Sequence, residues 1–203
     1  MTSPPDPVLG AARRPAPVLN VANGLTALRL ALVPVFFALT VASGMTVPTW
    51  RMAACVVFFL ASVTDLIDGW IARTWDLVTA FGKVADPLAD KALTGTALVL
   101  LSWYGQLPWW VTVVILVREL GVTALRFGVI RREVIAASRG GKAKTVLQTL
   151  AISWYLWPFP DWLTDVGATV MLVAVVVTVA TGVDYVIRAI RVRRSGRTGH
   201  GRG

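Results

Sequence analysis

Charge is scarce in this chain. Only 15% of its 203 residues are charged while 56% are hydrophobic, and mean hydropathy is +0.67. A soluble domain carries about 25% charged residues, so the composition speaks against one and makes a bilayer the expected solvent. The one cysteine, Cys55, lies in an apolar run with no second thiol to pair with; a disulfide framework is excluded, and the residue reads as packing. No internal repeat or extended low-complexity segment is present. At ~20 apolar residues per crossing, the length holds one bundle of about six spans and no second domain. Acids number 11 against 20 Lys and Arg, a net charge of +9. Such an excess suits nucleic acid, but the bases sit in short segments between apolar runs, where cytoplasmic anchoring explains them better. No nucleic-acid partner is expected; anionic membrane lipids and phosphate substrates are.

Arg13 and Arg14 precede an apolar stretch from Val21, as in a signal peptide, but Arg29 and Pro34 interrupt it and it is longer than a signal core. A retained first span is expected. Residues 1–19, rich in Pro and Ala, read as a flexible cytoplasmic tail ending in an interfacial segment. Apolar runs at about 22–43, 51–71, 86–105, 109–130, 143–158 and 162–188 predict an all-α integral membrane bundle of six helices over 20–190, followed by a basic cytoplasmic tail, 191–203. The fifth run is short and leans on Trp154, Tyr155 and Trp157 as an interfacial belt. The basic segments (Arg13 and Arg14; Arg73 and Lys83; Arg131, Arg132, Arg139 and Lys142; Arg188 onward) alternate with loops in which Arg51 is the sole positive residue. The positive-inside rule then places both termini in the cytoplasm of a multi-pass cell-membrane protein. The terminal basic run reads as a lipid-facing anchor.

The informative stretch is Asp65-Leu-Ile-Asp68-Gly69-Trp-Ile-Ala72-Arg73, followed after eight residues by Gly82-Lys-Val-Ala-Asp86-Pro-Leu-Ala-Asp90-Lys91. Asp65 and Asp68 are three apart, Asp86 and Asp90 four apart, so each pair shares a helical face. A short cytoplasmic connection makes the two helices antiparallel neighbours, and the four carboxylates are predicted to converge at the membrane surface. Uncompensated acids there cost on the order of +3 kcal/mol each, which demands a counter-ion. With oxygen donors and no His or Cys nearby, that ion is a hard one, Mg2+ or Mn2+. Phosphoryl transfer is the chemistry best suited to it. Gly69, Ala72 and Gly82 let a nucleotide or a neighbouring helix approach the backbone, and Pro87 suits a first helical turn. The alternatives are helix packing for the glycines and helix capping for the aspartates.

The string D-x2-D-G-x2-A-R-x8-G-x3-D-x3-D, matched at every fixed position from Asp65 to Asp90, resembles the signature of the CDP-alcohol phosphotransferases. The resemblance implies a six-helix homodimer with a cytoplasm-facing two-metal site. It implies that Asp65, Asp68 and Asp86 ligate the metals, and that Asp90 contributes to the second metal and acts as general base. It also implies contacts to CDP-diacylglycerol from Gly69, Arg73 and Thr79, with Ala72 and Gly82 beside them. Asn23 and Thr26, in the run Asn20-Val-Ala-Asn23-Gly-Leu-Thr26-Ala-Leu-Arg29, resemble the family's first-helix Asn-x2-Thr-x2-Arg element. Without the aspartate motif, Asn23 reads as a helix cap and Arg29 as a snorkelling anchor.

The acceptor is read from the second half. Arg118-Glu119 lies inside the fourth span, as a buried structural pair that Lys91 could join or as part of a site, and Arg126 follows two turns on. Ser138, Arg139, Gly141, Lys142, Lys144, Thr145 and Gln148 gather cations and hydroxyls where the fifth span starts, a setting for a small phosphate. Both segments resemble the glycerol-phosphate branch of the family. The implied reaction moves the phosphatidyl group of CDP-diacylglycerol to sn-glycerol 3-phosphate, with Arg118, Arg126, Arg139, Lys142 and Lys144 receiving the acceptor phosphate. The competing readings are another acceptor, phosphatidylglycerol or inositol phosphate, and, from a different class, a divalent-cation transporter, against which the clustering of acids at one edge argues.

Overall fold

A computed structural model of the chain describes residues 20–74, 79–129 and 139–198; the predicted tail 1–19, Ser138, Arg131 and Arg132 lie outside them. Six α-helices follow one another. Helix α1 (Val21–Ser43) starts where the Asn20 side chain accepts the Asn23 N–H at 2.9 Å, so Asn20 and not Asn23 is the cap. It stops at Gly44, whose φ of +50° is the left-handed turn that glycine adopts without strain. Helix α2 (Pro48–Thr74) opens on a proline, whose missing N–H costs nothing at a first helical position. Helix α3 (Ala80–Trp103) is capped by Thr79, which accepts the Gly82 N–H at 3.0 Å. Then come α4 (Trp109–Val129), α5 (Arg139–Leu156), a 3-10 turn (Asp161–Leu163) and α6 (Thr164–Thr198).

The six predicted runs map onto the six helices, with two shifts: α6 continues to Thr198, beyond the predicted 188 and into the segment expected to be a tail, and α3 starts early. Helix α3 begins before the predicted 86 because the Thr79 cap is a stronger start signal than the polarity of Gly82 and Lys83 is a stop. Pro87 therefore lies inside α3 and not in its first turn, where it leaves the Lys83 carbonyl without its usual donor. Asp86 and Asp90 are lifted to the body of the helix.

Among the described residues, α1 packs on α2 and α3, α6 on α5 and α4, and the two groups meet through α2 with α5 and α3 with α4 and α5. The shared core runs through Phe36, Phe58, Leu98, Leu101, Ile115, Ile152 and Leu156, all nearly inaccessible, with the Phe36 and Phe58 rings 5.6 Å apart. The polarity of the rest is reversed relative to a water-soluble bundle. Arg29, Asp68, Lys144 and Gln148 are buried, whereas Phe37, Phe59, Leu88, Val117, Leu150 and Leu172 face outward, one or more from every helix. Apolar faces of that extent fit lipid, not water. Three segments are long and apolar enough to cross a membrane: Asn23–Ser43, Pro48–Gly69 and Asp161–Arg188. Helices α3, α4 and α5 carry the ionisable residues Asp86, Asp90 and Lys91, Arg118 and Glu119, and Lys144, which lowers their hydropathy.

The helices alternate in direction, so the start of α1, the end of α2, the start of α3, the end of α4 and the start of α5 share one end of the bundle. At the opposite end α5 stops early. Arg51 of α2 closes it: its Nη2 donates to the carbonyls of Tyr155 at 2.9 Å and Trp157 at 3.4 Å, and its Nε to that of Leu156 at 3.3 Å. The Tyr155 and Leu156 carbonyls are among those that a helix end leaves without partners. Trp154 is not the belt residue its sequence context suggests. Its Nε1 donates to the Leu163 carbonyl at 3.1 Å, and its ring packs 4.4 Å from that of Phe159 and directly on Gly167 of α6.

Candidate active site

The first face of α1 reaches two helices at once. Asn23, Thr26 and Arg29, spaced by three, point along one stripe. Thr79 donates to Asn23 Oδ1 at 3.0 Å, and Thr26 donates to Asp86 Oδ1 at 2.5 Å, tying α1 to the start of α3. Arg29, fully buried, donates from Nη1 to Asp65 Oδ1 at 2.6 Å and from Nη2 to Asp68 Oδ2, tying α1 to the end of α2. Its Nε is buried without a partner. Gly82 lies at the meeting point: a Cβ there would come within 3.0 Å of Asn23 Oδ1, 3.3 Å of Thr79 Oγ1 and 3.6 Å of Asp86 Oδ2. Backbone must pass close here, which is why no side chain is present.

Asp65, Asp68 and Asp86 thus occupy one corner and sense one another electrostatically, with Asp65 also in the field of Asp90. The spacing predicts convergence on one point; the structure divides the four. Arg29 draws Asp65 and Asp68 toward α1, Thr26 holds Asp86, and Asp90 faces a separate cavity. As the side chains stand, no three His, Cys, Asp or Glu groups among the described residues gather closely enough to hold one ion. The donor chemistry nonetheless fits a hard divalent cation: every donor is a carboxylate oxygen, carried on the neighbouring helices α2 and α3.

The cavity, about 50 Å3, lies between α3, α4 and α5 and is lined by Asp90, Lys91, Glu119, Lys144, Thr145 and Gln148 among others. Glu119 organises its charges. Its Oε1 accepts Lys144 Nζ at 2.6 Å and Arg118 Nη1 at 2.9 Å, and Lys91 Nζ stands 3.9 Å from Oε2. Arg118 turns away from the cavity: its Nε donates to the Thr178 carbonyl at 3.0 Å and its Nη2 to the Thr181 hydroxyl at 2.8 Å. Each acid and base here has an opposite charge beside it, as burial requires.

The structure brings together Asn23, Thr26, Thr79, Gly82 and Asp86 at one corner and Asp90 with Lys144 at the cavity. Gly69 follows Asp68 near the end of α2. Ala72, Arg73, Arg126, Arg139 and Lys142 fall in helices, but their side chains lie outside the described residues. Sequence reasoning missed Arg29 as a member of the aspartate corner. Its spacing of three from Thr26 was the available signal, because it puts both on the stripe that meets the acids. Glu119 as the shared partner of Lys91, Arg118 and Lys144 was visible only as a weakly specified pair.

Residues 19–180 match the model of the CDP-alcohol phosphatidyltransferase family. A protein of Mycobacterium tuberculosis (strain H37Rv) named probable phosphatidylglycerophosphate synthase is 50% identical over 176 residues, 87% of this chain and 84% of the relative. CDP-diacylglycerol--glycerol-3-phosphate 3-phosphatidyltransferases of Bacillus subtilis (strain 168) and Escherichia coli (strain K12) are 37% and 36% identical, over 83% and 84% of this chain and 94% of each relative. The match spans the aspartate corner and the cavity alike, and the chain belongs to the CDP-alcohol phosphatidyltransferase family.

Proposed function

We propose that the chain transfers the phosphatidyl group of CDP-diacylglycerol to sn-glycerol 3-phosphate, giving phosphatidylglycerol phosphate and CMP, at a site facing the cytoplasm in a six-span homodimer. The observation that carries the reading is that Asp90, the last residue of the aspartate motif, and Lys144, of the basic element some fifty residues on, line one cavity. In this reading the base and a phosphate-binding cation share that cavity.

In this reading Asp65, Asp68, Asp86 and Asp90 are the ligands of Mg2+ or Mn2+, two per site, whose chemistry when bound is to neutralise the pyrophosphate and the departing CMP. The corner formed by Asn23, Thr26, Thr79 and Gly82, with Gly69, Ala72 and Arg73, receives the nucleotide; Gly82 lets the ligand approach the backbone. Lys144, with Arg126, Arg139 and Lys142, holds the acceptor phosphate, and Arg118 supports them from α4. Asp90 takes the proton of the acceptor C1 hydroxyl. The hydroxyl oxygen forms its bond to the lipid-side β-phosphorus as the bond from that phosphorus to the CMP oxygen breaks.

The test is CMP release from CDP-diacylglycerol by purified protein with Mg2+ or Mn2+, offering glycerol 3-phosphate, inositol phosphate and phosphatidylglycerol separately and identifying each lipid product. Release with glycerol 3-phosphate alone supports the reading; release with another acceptor alone overturns the acceptor assignment and leaves the reaction class.

A further inference from the structure

Among the described residues helix α6 contributes none to the cavity lining, yet it holds Arg118, which pairs with Glu119 there, and Gln148, which lines it. Arg118 rests on it through three contacts: Nε on the Thr178 carbonyl at 3.0 Å, Nη2 on the Thr181 hydroxyl at 2.8 Å, and its aliphatic stem on Gly182, where a Cβ would stand 2.9 Å from Cγ and 3.2 Å from Nε. The Thr181 hydroxyl donates its own proton to the Val177 carbonyl at 2.7 Å, which leaves its lone pairs directed at the guanidinium. Arg118 in turn holds Glu119, and Glu119 holds Lys144. A second link runs from the Thr178 hydroxyl to Gln148 Nε2 at 2.9 Å. Lys144 and Gln148, one turn apart on α5, both line the cavity with Asp90.

We propose that Thr178, Thr181 and Gly182 of α6 are positioning residues for the acceptor, acting through Arg118 and Gln148 to fix Lys144 against Asp90. The inference rests on the acceptor reading above. A buried hydrogen bond to a charged group carries enough energy for its loss to be felt in ground-state binding. Gly182 is required because any side chain would push Arg118 off its partners.

The hydroxyl and the methyl of Thr181 are separable. Thr181→Val keeps the shape and removes the hydroxyl; Thr181→Ser keeps the hydroxyl and removes a methyl. Positioning through Arg118 predicts that Thr181→Val raises the KM for sn-glycerol 3-phosphate about ten-fold, leaves the KM for CDP-diacylglycerol unchanged, and that Thr181→Ser behaves as wild type. Thr178→Val, which removes the acceptor of Gln148 and keeps the carbonyl under Arg118, is measured in parallel as a second, milder change with the same expected split. An unchanged acceptor KM in both valine variants overturns the inference. So does a rise in both KM values together with a lowered melting temperature in detergent, the mark of packing alone. Wild-type protein is assayed alongside: failure to turn over glycerol 3-phosphate at all overturns the acceptor reading and this inference with it, whereas normal wild-type turnover with unmoved variants overturns this inference alone.

Discussion

Arg29 of α1 lies between Asp65 and Asp68 of α2, its two Nη atoms each on a different carboxylate and its side chain wholly buried. One guanidinium therefore holds together two acids a helical turn apart. Removing one partner of a buried charge pair costs about 3–5 kcal/mol, because the other charge is stranded. Arg29→Gln strands two. We expect a lower melting temperature in detergent and a loss of that order, read by chemical denaturation. Arg29→Lys restores charge but reaches only one acid, so it should recover part of the loss. A fully stable Arg29→Gln would show that the acids do not depend on this residue.

Chelation should stop CMP release and Mg2+ or Mn2+ should restore it, if the aspartates act as ligands. Asp86→Asn, which keeps an acceptor for the Thr26 hydroxyl, should abolish turnover under saturating metal while leaving the melting temperature close to wild type. Asp90→Asn should cut kcat on the order of 10^2- to 10^4-fold, the range of a lost general base. Wild-type rates from either variant would remove that residue from its role.

Two glycines should separate site from scaffold. Gly82→Ala brings a methyl within 3.0 Å of Asn23 Oδ1 and should raise the KM for CDP-diacylglycerol, with a small effect on stability. Gly167→Ala would place its Cβ 2.5 Å from Trp154 Cδ1, at the end of the bundle far from the acids. That overpacking should cost about 1–3 kcal/mol and leave both KM values unchanged. Thermal melts and initial-rate kinetics on the two variants check both statements.

The number of helices and their extents were legible because hydropathy in lipid is a strong, local signal. The aspartate corner was legible in part: Asp65, Asp68 and Asp86 carry their spacing openly, but spacing did not tell that Asp90 faces the cavity instead. Arg29 was not: an arginine near the start of an apolar run reads as an anchor, and its partners lie 36 and 39 residues away. The start of α3 was misplaced because a cap such as Thr79 acts through one hydrogen bond, which hydropathy does not register. The support from α6 was hidden for another reason. Thr178, Thr181 and Gly182 belong to an otherwise uniform apolar run, and nothing in such a run tells which face meets Arg118. Trp154 misled in the same way, since an aromatic at a helix end is written identically whether it meets lipid headgroups or a glycine.

Helix α5 has 18 residues, about 27 Å of rise, short of the ~30 Å of hydrocarbon it would have to cross. Its last carbonyls are satisfied by Arg51, a residue translated more than a hundred positions earlier. Until α2 is in place, the last carbonyls of α5 lack these donors. The end of α5 is thus completed only by a side chain that the first hairpin supplies.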